Sequence, residues 1–266
     1  MKKQGVLFLL VLVAILASGI YWFALRKGSN TSTPEVSQTI DSTVNADDLE
    51  IEIAPNPNKK YAEAGTPMRA IQDVDDILEN FKKGKNLSEV DQRHNEKLKR
   101  KVIHGTFDVS ELSRLALANH WDEHTVVEHD RFTNLMVSLL EEKALFAHEQ
   151  SASKSQEGGK YAVAYLSQRF LEGDSNCALV LTKVSVPSEN VSVQLNYRLK
   201  KNEKGEWKIY DIVVDDASLV SNYRYQFNSI ISKDGYDHLV GLMQKKLDQI
   251  RGKRTGDAEL ANSKNS

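Results

Sequence analysis

Residues 191–199 read Val191-Ser192-Val193-Gln194-Leu195-Asn196-Tyr197-Arg198-Leu199, an unbroken alternation of apolar and polar side chains. Successive side chains of a strand point to opposite faces, so this stretch predicts a strand with one face buried and the other in water. Asn202-Glu203-Lys204-Gly205 follows as a turn, and Trp207–Val214 is β-like again, so the two runs form a hairpin. Upstream of it, Tyr161–Phe170 and Ala178–Val186 have the same character.

Away from these runs the apolar period becomes helical. Thr66-Pro67 is a helix start, with Thr as N-cap and Pro at the first helical position, and Ile71, Val74, Ile77, Leu78 and Phe81 recur at helical spacing up to Gly84. Asn86 to Lys101 is a polar helix whose Arg93, Lys97, Lys99, Arg100 and Lys101 are expected on a solvated face. Asp108 with Glu111, and Thr125 with Glu128, have the spacing of N-terminal capping boxes. The second opens a long helix with Phe132, Leu135, Met136, Leu139, Leu140 and Phe146 on one face. Helical spacing returns after Ser218, with Tyr223, Phe227, Ile230, Ile231, Leu239, Leu242, Met243 and Leu247. Helices, then strands, then helices imply an α+β domain: an antiparallel or mixed sheet with helices packed on one face.

That domain is expected over 67–250. Residues 1–27 hold an uncharged run, Val6–Leu25, flanked by Lys2, Lys3, Arg26 and Lys27. Twenty helical residues span about 30 Å, the thickness of a bilayer's hydrocarbon core, so one N-terminal transmembrane helix is expected, with a cleaved signal segment as the alternative. Residues 28–66 carry seven acids against Lys59 and Lys60, together with Pro34, Pro55 and Pro57, and read as a disordered acidic linker. Residues 251–266 read as a disordered tail.

The 266 residues contain 35 Lys+Arg and 37 Asp+Glu, a formal charge of -2, which removes the case for a nucleic-acid binder. The single cysteine, Cys177, excludes an intramolecular disulfide and any Cys-rich metal site. His120, His124, Glu128 and His129 are the one candidate metal cluster, but Thr125 caps a new helix between them and places the first two in a turn. No Gly-x-Ser-x-Gly occurs. Asp211, Asp215 and Asp216 could pair as acid–base carboxylates or form a hairpin exit, where Asp is common. Long apolar helix faces set against an alternating sheet are compatible with a solid core or with an apolar cavity.

Trp207-Lys208-Ile209-Tyr210-Asp211-Ile212-Val213-Val214 runs on through Ala217-Ser218-Leu219-Val220 and Asn222-Tyr223-Arg224 to Gln226-Phe227. This block resembles the signature of the MlaC (toluene-tolerance) family of periplasmic phospholipid-binding proteins. Phe107-Asp108, Leu117, Trp121, Thr125, Phe132 and Leu139-Leu140 match that family's upstream pattern in order. The chain departs from it in having Glu128-His129 for Gln-Arg, Asp216 for Gly and Ala118 for Gly. Glu128 keeps the capping-box role, since Glu and Gln both reach back to the N-cap amide.

The resemblance implies a cone-shaped, nuclear-transport-factor-like fold with a lipid cavity. It implies a non-enzymatic phospholipid carrier of the Gram-negative envelope, without catalytic residues, metal or cofactor. Its partners would be phospholipid, an inner-membrane ABC lipid transporter complex and an outer-membrane lipid component. With the apolar N-terminal run, the expected localisation is a single-pass inner-membrane protein with its domain in the periplasm, the alternative being a soluble periplasmic form. Expected to line the cavity are Leu112, Leu115, Phe132, Met136 and Leu139 from helices, and Val193, Leu195 and Tyr197 from the alternating strand. Tyr223 is expected to pack and Arg224 to make a structural contact. The competing classes are an enzyme using Asp211 or Asp215 as its base, and an interaction module without a cavity.

Overall fold

The computed structural model describes residues 51, 53, 55–82, 87–154, 162–186 and 191–263, with side chains given outside 143–154, 186, 191 and 253–263. Four helices come first: α1 (Pro67–Glu79), α2 (Glu89–Thr106), α3 (Val109–Leu117) and α4 (Val126–Lys154), with a 3₁₀ turn at Ala118–His120. Strands β1 (Ala162–Leu171), β2 (Asp174–Val186), β3 (Val191–Lys201), β4 (Trp207–Val214) and β5 (Ala217–Ser218) follow, and then helices α5 (Leu219–Asp234) and α6 (Tyr236–Ser263).

The helix starts are chemically specified. Thr66 Oγ1 accepts from Arg69 N at 3.3 Å, and Pro67 occupies the first helical position, where a donor is not needed. Asp108 Oδ1 accepts from Glu111 N at 2.8 Å. At α4, Thr125 Oγ1 accepts from Glu128 N at 3.4 Å while Glu128 Oε2 accepts from Thr125 N at 2.8 Å, a reciprocal capping box.

The strands form one antiparallel meander in the order β1-β2-β3-β4-β5. The alternation of β3 sets its faces: Leu195, Tyr197 and Leu199 are buried, while Ser192, Gln194 and Arg198 are exposed. Opposite them on β2 stand Thr182, Val180 and Ala178, also buried. Helices α1, α2, α3 and α5 all contact the sheet. The helical layer has its own aromatic centre, where Phe132 of α4 meets Phe227 of α5 edge-on at 5.6 Å between centroids.

Several expectations change. The transmembrane helix expected over Val6–Leu25 lies outside the described residues, and no helix among the described residues is long and apolar enough to cross a membrane. Helices α4 and α6 have the length, but they interleave charged with apolar residues because they cover a core. Among the described residues the fold is therefore the α+β domain alone, and neither the spanning helix nor the single-pass inner-membrane localisation expected from it is supported.

Part of the expected disordered linker is a strap bound to α1. Gln72 donates to Lys60 O at 3.0 Å and accepts from Ala62 N at 2.8 Å; Asp76 accepts from Lys59 Nζ at 2.8 Å and from the Tyr61 hydroxyl at 2.6 Å. Further upstream, Lys101 Nζ donates to Ile51 O at 2.8 Å. The expected tail, for its part, continues α6 through Ser263. Lys99, expected on a solvated face, is buried with Nζ 2.6 Å from Glu96 Oε2.

Two departures from the family pattern are backbone matters. Ala118 ends α3 at φ 51°, ψ −122°, a region glycine enters freely and alanine does not. Asp215 and Asp216 have φ 41° and 70° as the two central residues between the paired Val214 and Ala217. Positive φ at both suits a two-residue hairpin turn, and Asp tolerates it better than most residues. Ala118→Gly should therefore raise the unfolding free energy by about 1 kcal/mol, read as a melting temperature higher by roughly 2–4 °C; a lower melting temperature would show that Ala118 carries no strain.

Candidate functional site

The inner sheet face is where the chemistry-bearing side chains collect. Its apolar rows are Ala178, Val180 and Val184 on β2 and Leu195 and Leu199 on β3, all buried, with half-buried Val163 on β1 and Val193 on β3. Of the residues expected to line a cavity, Leu112, Phe132, Met136, Leu139, Leu195 and Tyr197 are buried, and Leu115 and Val193 are half-buried. The strand set lies on the inner sheet face, and the helical set comes from α3, which contacts the sheet, and from α4, which packs on α2, α3 and α6.

A polar island interrupts this apolar ground. Asp75 projects from the buried side of α1, flanked by Val74 and Leu78, and is 3% exposed. The Tyr165 hydroxyl, from β1, donates to its Oδ2. In the sheet register Tyr165 stands opposite Thr182, whose hydroxyl donates to Leu195 O at 2.5 Å and which also bonds the Tyr197 hydroxyl. Asp75 Oδ1 is buried without a hydrogen-bond partner among the described residues. Burial pushes the Asp75 carboxyl up to about 6, against the opposing effects of the Tyr165 bond and Lys59. Burial likewise raises the Tyr165 and Tyr197 hydroxyls, with Asp75 adding to the effect. Sequence reasoning missed this island, although an acid four residues after Ile71 on an apolar helical face was a visible signal.

The other candidates are structural. Asp211 is 1% exposed and accepts from Ser218 Oγ at 2.8 Å, Val220 N at 3.0 Å and Arg198 NH1 at 3.1 Å. It thereby holds the first turn of α5 against β4, where a carboxylate also meets the positive end of the helix. Asp215 is a turn residue whose Oδ1 accepts from Gln194 N at 2.9 Å. Arg224 donates to Leu115 O at 2.9 Å near the end of α3, and Tyr223 is buried against Phe227. Burial, and then Asp174, push the Cys177 thiol up to about 11, away from thiolate chemistry.

The histidines face different partners. His120 bonds Glu123 and Asn228, each at 3.0 Å, and Glu123 raises its basicity. His124 packs on Tyr236. His129 stacks on Trp121 at 3.8 Å and 7°, with Nε2 2.7 Å from Trp121 O. A carbonyl only accepts, so that nitrogen carries the proton, and a planar ring fills the place where the family pattern has Arg. Among the described residues no group of His, Cys, Asp and Glu could hold a metal ion.

A separate cleft of about 380 Å³ lies between the start of α1, the end of α2 and the β3–β4 hairpin. None of the eight expected lining residues borders it. Its walls carry the ion pairs Arg69–Asp73 at 2.7 Å and Lys208–Glu206 at 3.1 Å, which makes it a poor host for acyl chains.

The described residues thus form a one-faced antiparallel meander covered by helices, with an apolar inner face and one polar island. The MlaC protein family model matches residues 72–245, and the chain belongs to that family. Among solved structures it is similar to the phospholipid-binding protein of Ralstonia solanacearum, determined in complex with a phospholipid. The two are 25% identical with a TM-score of 0.51, covering 68% of this chain and 97% of that one. No curated protein matches the chain.

Two substitutions separate the buried acids. Asp211→Ala leaves the start of α5 unsatisfied and should lower the unfolding free energy by about 3 kcal/mol in a denaturant titration; a loss below about 0.5 kcal/mol would reject the anchoring role. Burial raises the Asp75 carboxyl above its ordinary value of 3.8 in the folded chain, so its stabilising contribution is full below pH 4 and is lost as pH rises through about 6. Asp75→Asn should match the wild type near pH 4 and exceed it by roughly 2–3 kcal/mol above pH 7; thermal melts across that range read the difference, and parallel curves would reject it.

Proposed function

We propose that this protein is a phospholipid carrier, holding acyl chains between the inner sheet face and the helical layer. The observation that carries the reading is the family match over 72–245, joined to a solved structural relative whose phospholipid complex aligns over nearly its whole length. The chemistry required is modest. Each buried methylene gains about 0.8 kcal/mol over water, so an apolar interior holds a lipid without any reacting group. The facing residues are Leu112, Leu115, Phe132, Met136 and Leu139 on the helices and Val193, Leu195 and Tyr197 on β3. Acyl chains entering there exchange one apolar contact for another, and Met136 has the flexible side chain that eases such repacking.

In this reading the carrier works in the cell envelope and exchanges its lipid with an inner-membrane ABC-type lipid transporter and an outer-membrane lipid component. Metal, cofactor and catalytic residues have no part in it. Asp211 and Asp215 are engaged in folding contacts, which argues against either as an acid–base residue.

Native mass spectrometry of the purified full chain tests the carrier. Co-purified diacyl phospholipid at near-stoichiometric occupancy is expected, and a chain that stays empty after incubation with phospholipid vesicles would reject it. Val193 is half-buried at the end of the inner face, so Val193→Trp should fill lipid space at small cost to folding. Lipid affinity should fall about tenfold, near 1.4 kcal/mol, with a melting temperature close to that of the wild type.

A further inference from the structure

The carrier reading treats the interior as apolar, yet the donors and acceptors around Asp75 form a row across it. The Tyr165 hydroxyl is committed to Asp75 Oδ2, and the Thr182 hydroxyl to Leu195 O. The Tyr197 hydroxyl is bonded to Thr182. That leaves the second carboxyl oxygen of Asp75, buried, fixed in direction by Tyr165 and unpartnered among the described residues. A buried polar atom of this kind costs free energy unless something pairs with it.

We propose that Asp75 is the polar recognition point of the lipid site, its Oδ1 donating a hydrogen bond to an acyl-ester carbonyl of the bound phospholipid. The inference rests on the carrier reading above. Its chemistry follows from what a diacyl phospholipid presents between its chains and its phosphate, namely two ester carbonyls, which are acceptors only. An ionised carboxylate would face them acceptor to acceptor, so the acid has to be neutral in the complex, with its proton taken from solvent. Burial already favours that form in the free protein. The charged and titratable groups around Asp75 come from three directions. Lys59 of the strap opposes neutralisation, but is itself 2.8 Å from Asp76 and 3.9 Å from Glu79. Asp76 and Glu79 on α1 favour neutralisation, and Tyr165 and Tyr197 face the carboxyl from the sheet. Asp75 thus acts as a specificity residue that reads the linkage of the acyl chains.

The experiment titrates the full chain with two fluorescent phospholipids sharing one headgroup, a diester and its dialkyl ether analogue, from pH 5 to pH 8. When only the neutral acid is competent, apparent affinity scales with its fraction, so diester affinity should drop about tenfold between pH 7 and pH 8. The ether lipid should bind more weakly at pH 5 and show a flatter profile. Asp75→Asn keeps a donor but cannot titrate, so it should bind the diester at all pH values with a flat profile. The ester–ether comparison in the wild type stands even where a variant folds poorly. Equal affinities and a flat profile for both lipids would overturn the role of Asp75 while leaving the carrier intact. Failure to bind either lipid at any pH would overturn both.

Discussion

The inner faces of β1 to β4 present a largely apolar surface, and a sheet of this kind is stable only while something other than water covers it. The polypeptide uses helices from both ends of the domain for that purpose. Helices α1, α2 and α3 arrive before the sheet and α5 after it, and all contact it. The contact between layers is made at a few fixed points. Asp108 N donates to Ile209 O at 2.9 Å, Trp207 Nε1 to Gly65 O at 3.0 Å, and Asp211 holds the start of α5. Each joins a helix terminus to β4, so β4 is the seam along which the two layers are sewn.

Among the buried carboxylates, the contrast between Asp211 and Asp75 shows how burial is turned to different ends. Asp211 has hydroxyl, amide and guanidinium donors around it, and these compensate for leaving water. Asp75 has one hydroxyl donor and apolar neighbours, so its environment favours the neutral acid. Full satisfaction makes a structural clamp, whereas partial satisfaction leaves a group with bonding capacity in reserve. Only the second has anything left to offer a ligand.

The strands and helices were legible in the sequence because their signals are local. The alternation at 191–199, the capping pairs Asp108–Glu111 and Thr125–Glu128, and the Thr66-Pro67 start all act within a few residues. The strap was not legible, since its order comes from Gln72 and Asp76 binding backbone and side-chain groups some 10–17 residues away rather than from apolar burial. Lys99 misled in the same way, because a charge near Glu96 can be buried as a pair. The burial of Leu112, Phe132, Met136, Leu139, Leu195 and Tyr197 could be read from periodicity, while the pairing within the polar island could not. Tyr165 and Asp75 are 90 residues apart, and nothing in either local pattern announces the other.

The sheet also has an open side. Among the described residues β1 pairs only with β2, and its other edge has no strand beside it, with Leu166 and Phe170 about half exposed. An unpaired edge of that kind is a template on which a second chain can add a strand. Here the register of β1 slips between Tyr165 and Ser167, so Leu166 is an extra residue that bends the strand and breaks its ladder. At the same edge Gln168 accepts from Met68 N at 2.8 Å, bringing the first turn of α1 alongside. A flat strand arriving from another molecule could match only a few residues before losing register. The irregularity that follows Tyr165 thus also works against growth of the sheet from this edge.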